Sequence, residues 1–246
     1  MKSSVLIVVL AFLFYGCFPG VPGIDFGPRI DLSPKFSSSS GRSGRQGQHY
    51  ASQMSQVMFS YMFAPGGIWP WQKEFKEGEW SSWVVKSGSS DEEFNSEIAY
   101  LADDGEGRRW WRLTYRDGEE ELVYEALIRQ EDFSIRRMRA KINDDEPSEV
   151  PVTEGGYGPY GPPRRITPES LEAAVQETMT LRVPAGKVTA ERAEYGGAAG
   201  GTVELWLNDR VPGGVVKYRF TSDDGEGVTG NLKDYGTGAK TILGSY

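Results

Sequence analysis

Arg108-Arg109-Trp110-Trp111-Arg112-Leu113-Thr114-Tyr115-Arg116, then Asp117-Gly118, then Glu120-Glu121-Leu122-Val123-Tyr124-Glu125-Ala126-Leu127-Ile128-Arg129, reads as two strands closed by a tight turn. Aromatic and β-branched residues fit a pleated surface, and Asp-Gly accepts the positive dihedrals that twist-compatible hairpins need. Successive strand residues point to opposite faces, so Trp110 and Trp111 cannot share one. Both faces of the sheet therefore need cover. We expect a helix to cover the second face, or one tryptophan to line a cavity or a partner surface.

The same pattern extends outward. Alternating stretches separated by acidic or glycine-rich turns predict strands over Glu79–Lys86, Phe94–Leu101, Ser134–Ile142, Glu177–Val183, Val188–Tyr195, Thr202–Asn208, Val215–Thr221 and Gly230–Tyr235. Short turns make consecutive strands antiparallel neighbours. Asp-Asp-Gly-Glu-Gly occurs at 103–107 and again at 223–227, which we read as two similar hairpin turns rather than a duplication. The fold class is mainly β, a strongly curved antiparallel sheet or half-barrel with one or two packed helices. Strand groups 78–150 and 177–246 are expected to be halves of one sheet.

Two helices are predicted. Tyr50, Met54, Val57, Met58, Tyr61 and Met62 recur at helical spacing before Ala64-Pro65-Gly66-Gly67 stops the run. Thr167-Pro168-Glu169-Ser170 opens a short helix to about Gln176, with Thr167 as N-cap and Pro168 at the first helical position. Residues 17–48 hold four prolines and the Ser37–Ser40 run and have little to bury, so they read as a linker ahead of a single β-rich domain over 49–246.

At the start of the chain, Lys2 precedes an unbroken apolar run from Val5 to Tyr15, followed by Gly16 and Cys17, the only cysteine among 246 residues. The run is too short to span a bilayer and reads as a signal peptide over residues 1–16. It resembles a bacterial lipoprotein signal, with Phe14 where that motif usually has a small aliphatic residue. The resemblance implies acylation of Cys17, with palmitate-type chains, and cleavage before it. It also implies an envelope protein held in a membrane by those chains. Phe18, in place of the aspartate that retains enteric-type lipoproteins at the inner membrane, points to the outer one. A plain secretory signal cut near Gly16 or Gly20 is the rival reading.

Charge and composition restrict partners and chemistry. The formal charge is −8, and −9 once Lys2 is removed, with no basic stripe to attract nucleic acid. His49 is the sole histidine and adjoins the linker, which leaves triads, Cys-His dyads and His-ligated zinc without an imidazole. There is no phosphate-cradling loop followed by Lys and Ser/Thr, and no cofactor is expected. Asp103, Asp104 and Glu106, or Asp223, Asp224 and Glu226, offer calcium-type oxygens but lack a calcium-loop spacing. Arg108, Arg109, Arg112, Arg116, Arg129, Arg136, Arg137 and Arg139 suggest cross-strand ion pairing, or a site for an anionic headgroup or glycan. A carboxylate-based glycan hydrolase stays open only as a minor reading, because it needs two facing carboxylates.

Phe75-Lys76-Glu77-Gly78-Glu79-Trp80, Val183-Pro184-Ala185-Gly186-Lys187-Val188-Thr189-Ala190 and, after Trp206, Val211-Pro212-Gly213-Gly214-Val215-Val216-Lys217-Tyr218 are similar in kind and order to a loose set of uncharacterised envelope lipoproteins and to the C-terminal half of LolA/LolB-like folds. That resemblance implies a half-barrel whose aromatic concave face holds an acyl chain. On it, Trp80, Trp110, Trp111 and Trp206 are the candidate ligand-binding residues. A non-enzymatic protein binding a lipid or other apolar ligand is the leading expectation, and a structural or assembly protein acting through protein contacts is the alternative.

Overall fold

In the computed structural model, which describes residues 55–56, 59, 63, 68–69, 73–87, 93–153, 163–196, 201–223, 225 and 227–246, every alternating segment becomes a strand. The strands are β1 (Ile68–Trp69), β2 (Trp80–Ser87), β3 (Glu93–Asp103), β4 (Arg108–Asp117), β5 (Glu120–Arg129), β6 (Ile135–Ile142), β7 (Ser148–Glu149), β8 (Arg164–Arg165), β9 (Val175–Val183), β10 (Gly186–Gly196), β11 (Thr202–Leu207), β12 (Val215–Thr221) and β13 (Gly227–Gly236). Among the described residues, eleven form one sheet in the order β7-β6-β5-β4-β3-β2-β13-β12-β11-β10-β9, and β1 and β8 make a separate two-residue parallel pair. Each group is a meander of antiparallel neighbours. The first long strand of one group, β2, pairs with the last strand of the other, β13, so both groups belong to one sheet.

The sheet is strongly curved. Bulges interrupt the register in β3–β4, β5–β6, β2–β13, β11–β12 and β9–β10, and each adds local twist. The outermost hairpin, β9–β10, curls back far enough for the Ala185 N–H to donate to the Leu232 carbonyl of β13 at 3.0 Å. At the seam, Gly230 stands between Val85 and Tyr218. A Cβ there would lie 2.2 Å from the Tyr218 ring, so the missing side chain makes room for the phenol.

One face carries Trp83, Ile98, Trp111, Leu113, Tyr115 and Tyr124, all buried. Helical residues Gln56, Phe59 and Phe63, three and four apart, cover part of it, as the period of a helix requires. Phe59 stacks on Phe63 at 5.3 Å and meets Tyr124 edge-on at 6.1 Å. Burial pushes the Tyr124 phenol up to about 12, since the low-dielectric core opposes the phenolate. The Gln56 amide is satisfied by Thr153 Oγ1, which donates to its Oε1 at 2.9 Å, and by the Pro151 carbonyl. The expected helical residues Tyr50, Met54, Val57, Met58, Tyr61 and Met62 lie outside the described residues, as do Cys17 and the linker over 17–48.

Helix α1 (Pro168–Ala174) starts as expected, with Thr167 Oγ1 accepting from Ser170 N at 3.2 Å, but stops two residues early. The backbone at Val175 is already extended because it is drawn into register opposite Ala193 of β10. The β-branched side chain suits that conformation better than another helical turn.

Replacing Gly230 by Ala should lower stability by about 1–3 kcal/mol, the usual cost of overpacking. The check is urea denaturation followed by tryptophan fluorescence, where the midpoint should fall with the slope unchanged.

Candidate functional site

The opposite face is where the structure places its most buried charge. Trp110, Ala99, Leu101 and Leu127 form a second apolar cluster, with Trp80 and Ala239 against it. Its cover is the chain's own segment after β13, residues 237–246. The segment is joined at one end by the Ala239 N–H, which donates to the Gly78 carbonyl at 2.9 Å. Gly78 holds φ +79, a conformation that glycine adopts without strain. Leu243 is buried, and the Tyr246 ring lies 5.9 Å from Trp110, whose other neighbour is the Arg137 guanidinium at 5.6 Å.

Glu125 fixes this strap. It lies in the middle of β5, opposite Arg112 and Arg139, and is fully buried. Thr241 Oγ1 and Ser245 Oγ each donate to Oε2 at 2.6 Å, and Ile242 N–H donates to Oε1 at 2.7 Å, with Leu243 N–H at 3.3 Å. The arginines around it hold the strap's carbonyls. Arg112 donates to Lys240 O at 2.7 Å, Arg137 to Ser245 O at 2.8 Å and Arg139 to Gly244 O at 2.9 Å, with Leu243 O also bonded. The site is thus a carboxylate framed by guanidiniums that reads the main chain of an extended peptide. Hydrogen bonds to charged groups exceed neutral ones in strength, and the bonds from Leu243 N and Ser245 Oγ to Glu125 are buried.

The arginines also pair with carboxylates. Arg112 meets Glu97 at 2.9 Å, Arg116 meets Glu121 at 2.5 Å directly across β4–β5, and Arg137 and Arg139 share Glu149. Arg108 bridges Asp104 and Glu106, and Arg129 pairs with Asp132. Bonds from Arg129 and Ser134 hold the Asp132 carboxyl well below the usual range. Of the two expectations for the arginines, ion pairing accounts for these six. In the 103–107 turn, Asp103 and Asp104 accept from the backbone of Gly105 and Glu106 at 2.8 and 2.9 Å, so the candidate calcium carboxylates serve as turn acceptors. Asp223 instead accepts from Gly201 N at 2.7 Å, binding two turns together.

Trp206 lies far along the sheet in β11. Its indole N–H donates to Met179 Sδ at 3.2 Å, and Lys217 Nζ sits 4.5 Å from its ring centre, with Arg219 and Arg192 at 5.8 and 6.0 Å. Glu204 bridges Arg192 and Arg219 at 2.7 and 3.2 Å. Desolvation, with the Arg219 charge nearby, pushes the Lys217 ammonium below its ordinary pKa.

Of the four candidate tryptophans, register sets Trp80, Trp110 and Trp206 on one face, but only Trp80 and Trp110 meet. Trp111 lies on the other face among Phe63, Phe75 and Tyr100, with ring centres at 5.3, 5.4 and 5.3 Å. The expectation that a helix covers the second face is corrected, because the Trp110 face is closed by an extended strap. Glu125 and the strap did not emerge from sequence reasoning. The available signal was a lone carboxylate inside the apolar run Leu122–Ile128.

No known family profile matches the chain, and no curated protein does. Among solved structures it is similar to MucB, at 13% identity and TM-score 0.40, over 78% of this chain and 60% of that one. It is also similar to MucB in complex with MucA(peri), at 15% identity and TM-score 0.37 over 78% and 59%, and to LprF from Mycobacterium bovis, at 12% identity and TM-score 0.37 over 77% and 94%. The chain thus spans about 60% of the length of MucB. At these values the likenesses carry no argument about function.

Glu125→Ala leaves two hydroxyls and two N–H groups facing an empty buried site. It should cost about 3–5 kcal/mol, as loss of one partner from a buried charged network does. Deleting residues 241–246 should destabilise as well, and adding Glu125→Ala to that deletion should cost less than Glu125→Ala alone in the full chain.

Proposed function

We propose that this chain is a non-enzymatic protein of the bacterial envelope, lipid-anchored through Cys17 at the outer membrane, that acts by protein contact and not by carrying an apolar ligand. The observation that carries this is the cover on both faces of the sheet around β4 and β5: helical Phe59 and Phe63 with Phe75 on one, and the strap over 237–246 on the other. The aromatic residues that a lipid-handling half-barrel would offer to an acyl chain are packed against protein. Trp110, Trp111 and Trp206 are each 5% exposed or less. Among the described residues the two buried carboxylates, Glu125 and Glu204, are occupied by strap donors and by Arg192 with Arg219, which speaks against a hydrolase acid–base pair there.

Cys17→Ser should move the protein from the membrane to the soluble fraction, and retention in the membrane would overturn the anchor. Native mass spectrometry of that soluble variant should show the bare polypeptide. A lipid retained at one per chain through gentle purification would overturn the contact reading in favour of an apolar ligand.

A further inference from the structure

Strand β9 is the outermost strand on its side of the sheet. Two observations orient its free edge. First, Val183 pairs with Gly186 across the two-residue Pro184-Ala185 turn, so the pairs at 182–187, 180–189 and 178–191 are the ones that exchange no bonds. Second, the Thr189 carbonyl accepts from Asn208 Nδ2 at 2.7 Å on the side away from β9, and the Thr180 and Thr189 hydroxyls are 3.3 Å apart, as in such a close pair. The N–H and C=O of Thr178, Thr180 and Arg182 therefore point outward. Among the described residues, no backbone bond reaches them from outside the hairpin.

Their side chains are exposed, whereas Met179 and Leu181 on the alternate face are half-buried, next to Val188 and Ala190. We infer that β9 pairs antiparallel with β9 of a second copy of this chain, about a two-fold axis through Thr180. This names the partner in the protein-contact reading and rests on it. The register sets Thr180 opposite Thr180, Thr178 opposite Arg182 and Met179 opposite Leu181, with about six main-chain hydrogen bonds, two for each pair of outward residues. No like charges meet, and the half-buried Met179 and Leu181 gain apolar neighbours on both copies. Shifted registers are poorer. They set Arg182 against Arg182, set Met179 or Leu181 against Glu177, or run into the Pro184-Ala185 turn, whose Ala185 N–H is already used. The contact is small beside the roughly 1,600 Å² of a standard interface, which suits a micromolar dimer, and a shared membrane tether would raise its effective concentration.

The test uses the full chain carrying Cys17→Ser, so that the native cysteine neither anchors nor crosslinks. Thr180→Cys should form a disulfide-linked dimer on mild oxidation, since paired Cα atoms would stand about 5.5 Å apart. Thr178→Cys alone should not, and Thr178→Cys with Arg182→Cys should. In sedimentation velocity the parent should show twice the monomer mass at high micromolar concentration. Thr180→Pro and Thr180→Glu should be monomeric with unchanged thermal melting, since the edge N–H serves no bond inside the fold and Glu would oppose Glu. A parent at monomer mass, or crosslinking at 178 as efficient as at 180, overturns the pairing. Lipid retained by the parent would overturn the contact reading alone, because the β9 edge does not depend on what the faces hold.

Discussion

Two adjacent tryptophans on one strand cannot be buried on the same side of a sheet, and the rest of the molecule follows from that constraint. Trp111 draws in Phe63, Phe75 and Tyr100 on one face, while Trp110 requires a separate cover on the other. A sheet covered only on the Trp111 face would leave Trp110, Leu101 and Leu127 in water. An indole and two leucines in water cost several kcal/mol on the scale of about 25 cal/mol per Å². The helical residues ahead of β1 and the strap after β13 are thus two solutions to one problem, posed by residues near the middle of β4.

The two solutions differ in kind. The Trp111 face closes by aromatic packing, which is non-directional and tolerant of small shifts. The strap closes mainly through hydrogen bonds, because residues 237–246 are short and irregular and bury little beyond Leu243. An extended segment without strand neighbours leaves its own N–H and C=O groups to be satisfied. Glu125 accepts from the N–H side, and Arg112, Arg137 and Arg139 donate to the carbonyl side. Six of the arginines that made the first strand group look like an anion site are spent on that peptide and on neighbouring carboxylates, in a sector where isolated surface pairs alone would add little.

Local chemistry decided which features were legible from sequence. Hairpins could be read because Asp117-Gly118 and Pro184-Ala185 specify turns within a few residues, and alternation specifies faces. All ten expected strands are present, within a few residues at their ends. The overrun at α1 came from a cap that was readable at Thr167 and a stop that was not, since register with β10 sets it. The strap was illegible for the same reason on a larger scale. Thr241-Ile242-Leu243-Gly244-Ser245 shows neither strand nor helix period, and its anchor lies 116 residues away at Glu125. Of the four tryptophans, sequence placed the strands that bear them, and the strand order alone decided that Trp206, in β11, stands apart from Trp80 and Trp110.

Both faces are occupied around β4 and β5, so the edges carry much of the main-chain hydrogen-bonding capacity that remains, and the two edges are unlike. β7 is two residues long, and its Glu149 is held by Arg137 and Arg139, so little main chain is left open there. β9 runs for nine residues, and its centre, Thr178-Met179-Thr180-Leu181, carries no charge, proline or bulge, the devices that usually blunt an edge. Glu177 and Arg182 flank that centre on opposite faces, and among the described residues no backbone bond reaches the N–H and C=O groups between them from outside the hairpin. Met179, which takes the Trp206 N–H on its sulfur, ties this edge to the cation-flanked indole inside the sheet. The edge is therefore tied from behind, while among the described residues no backbone bond reaches its front from outside the hairpin. Such an edge favours a rigid strand as the partner over a mobile one, since β9 has little freedom left to adapt.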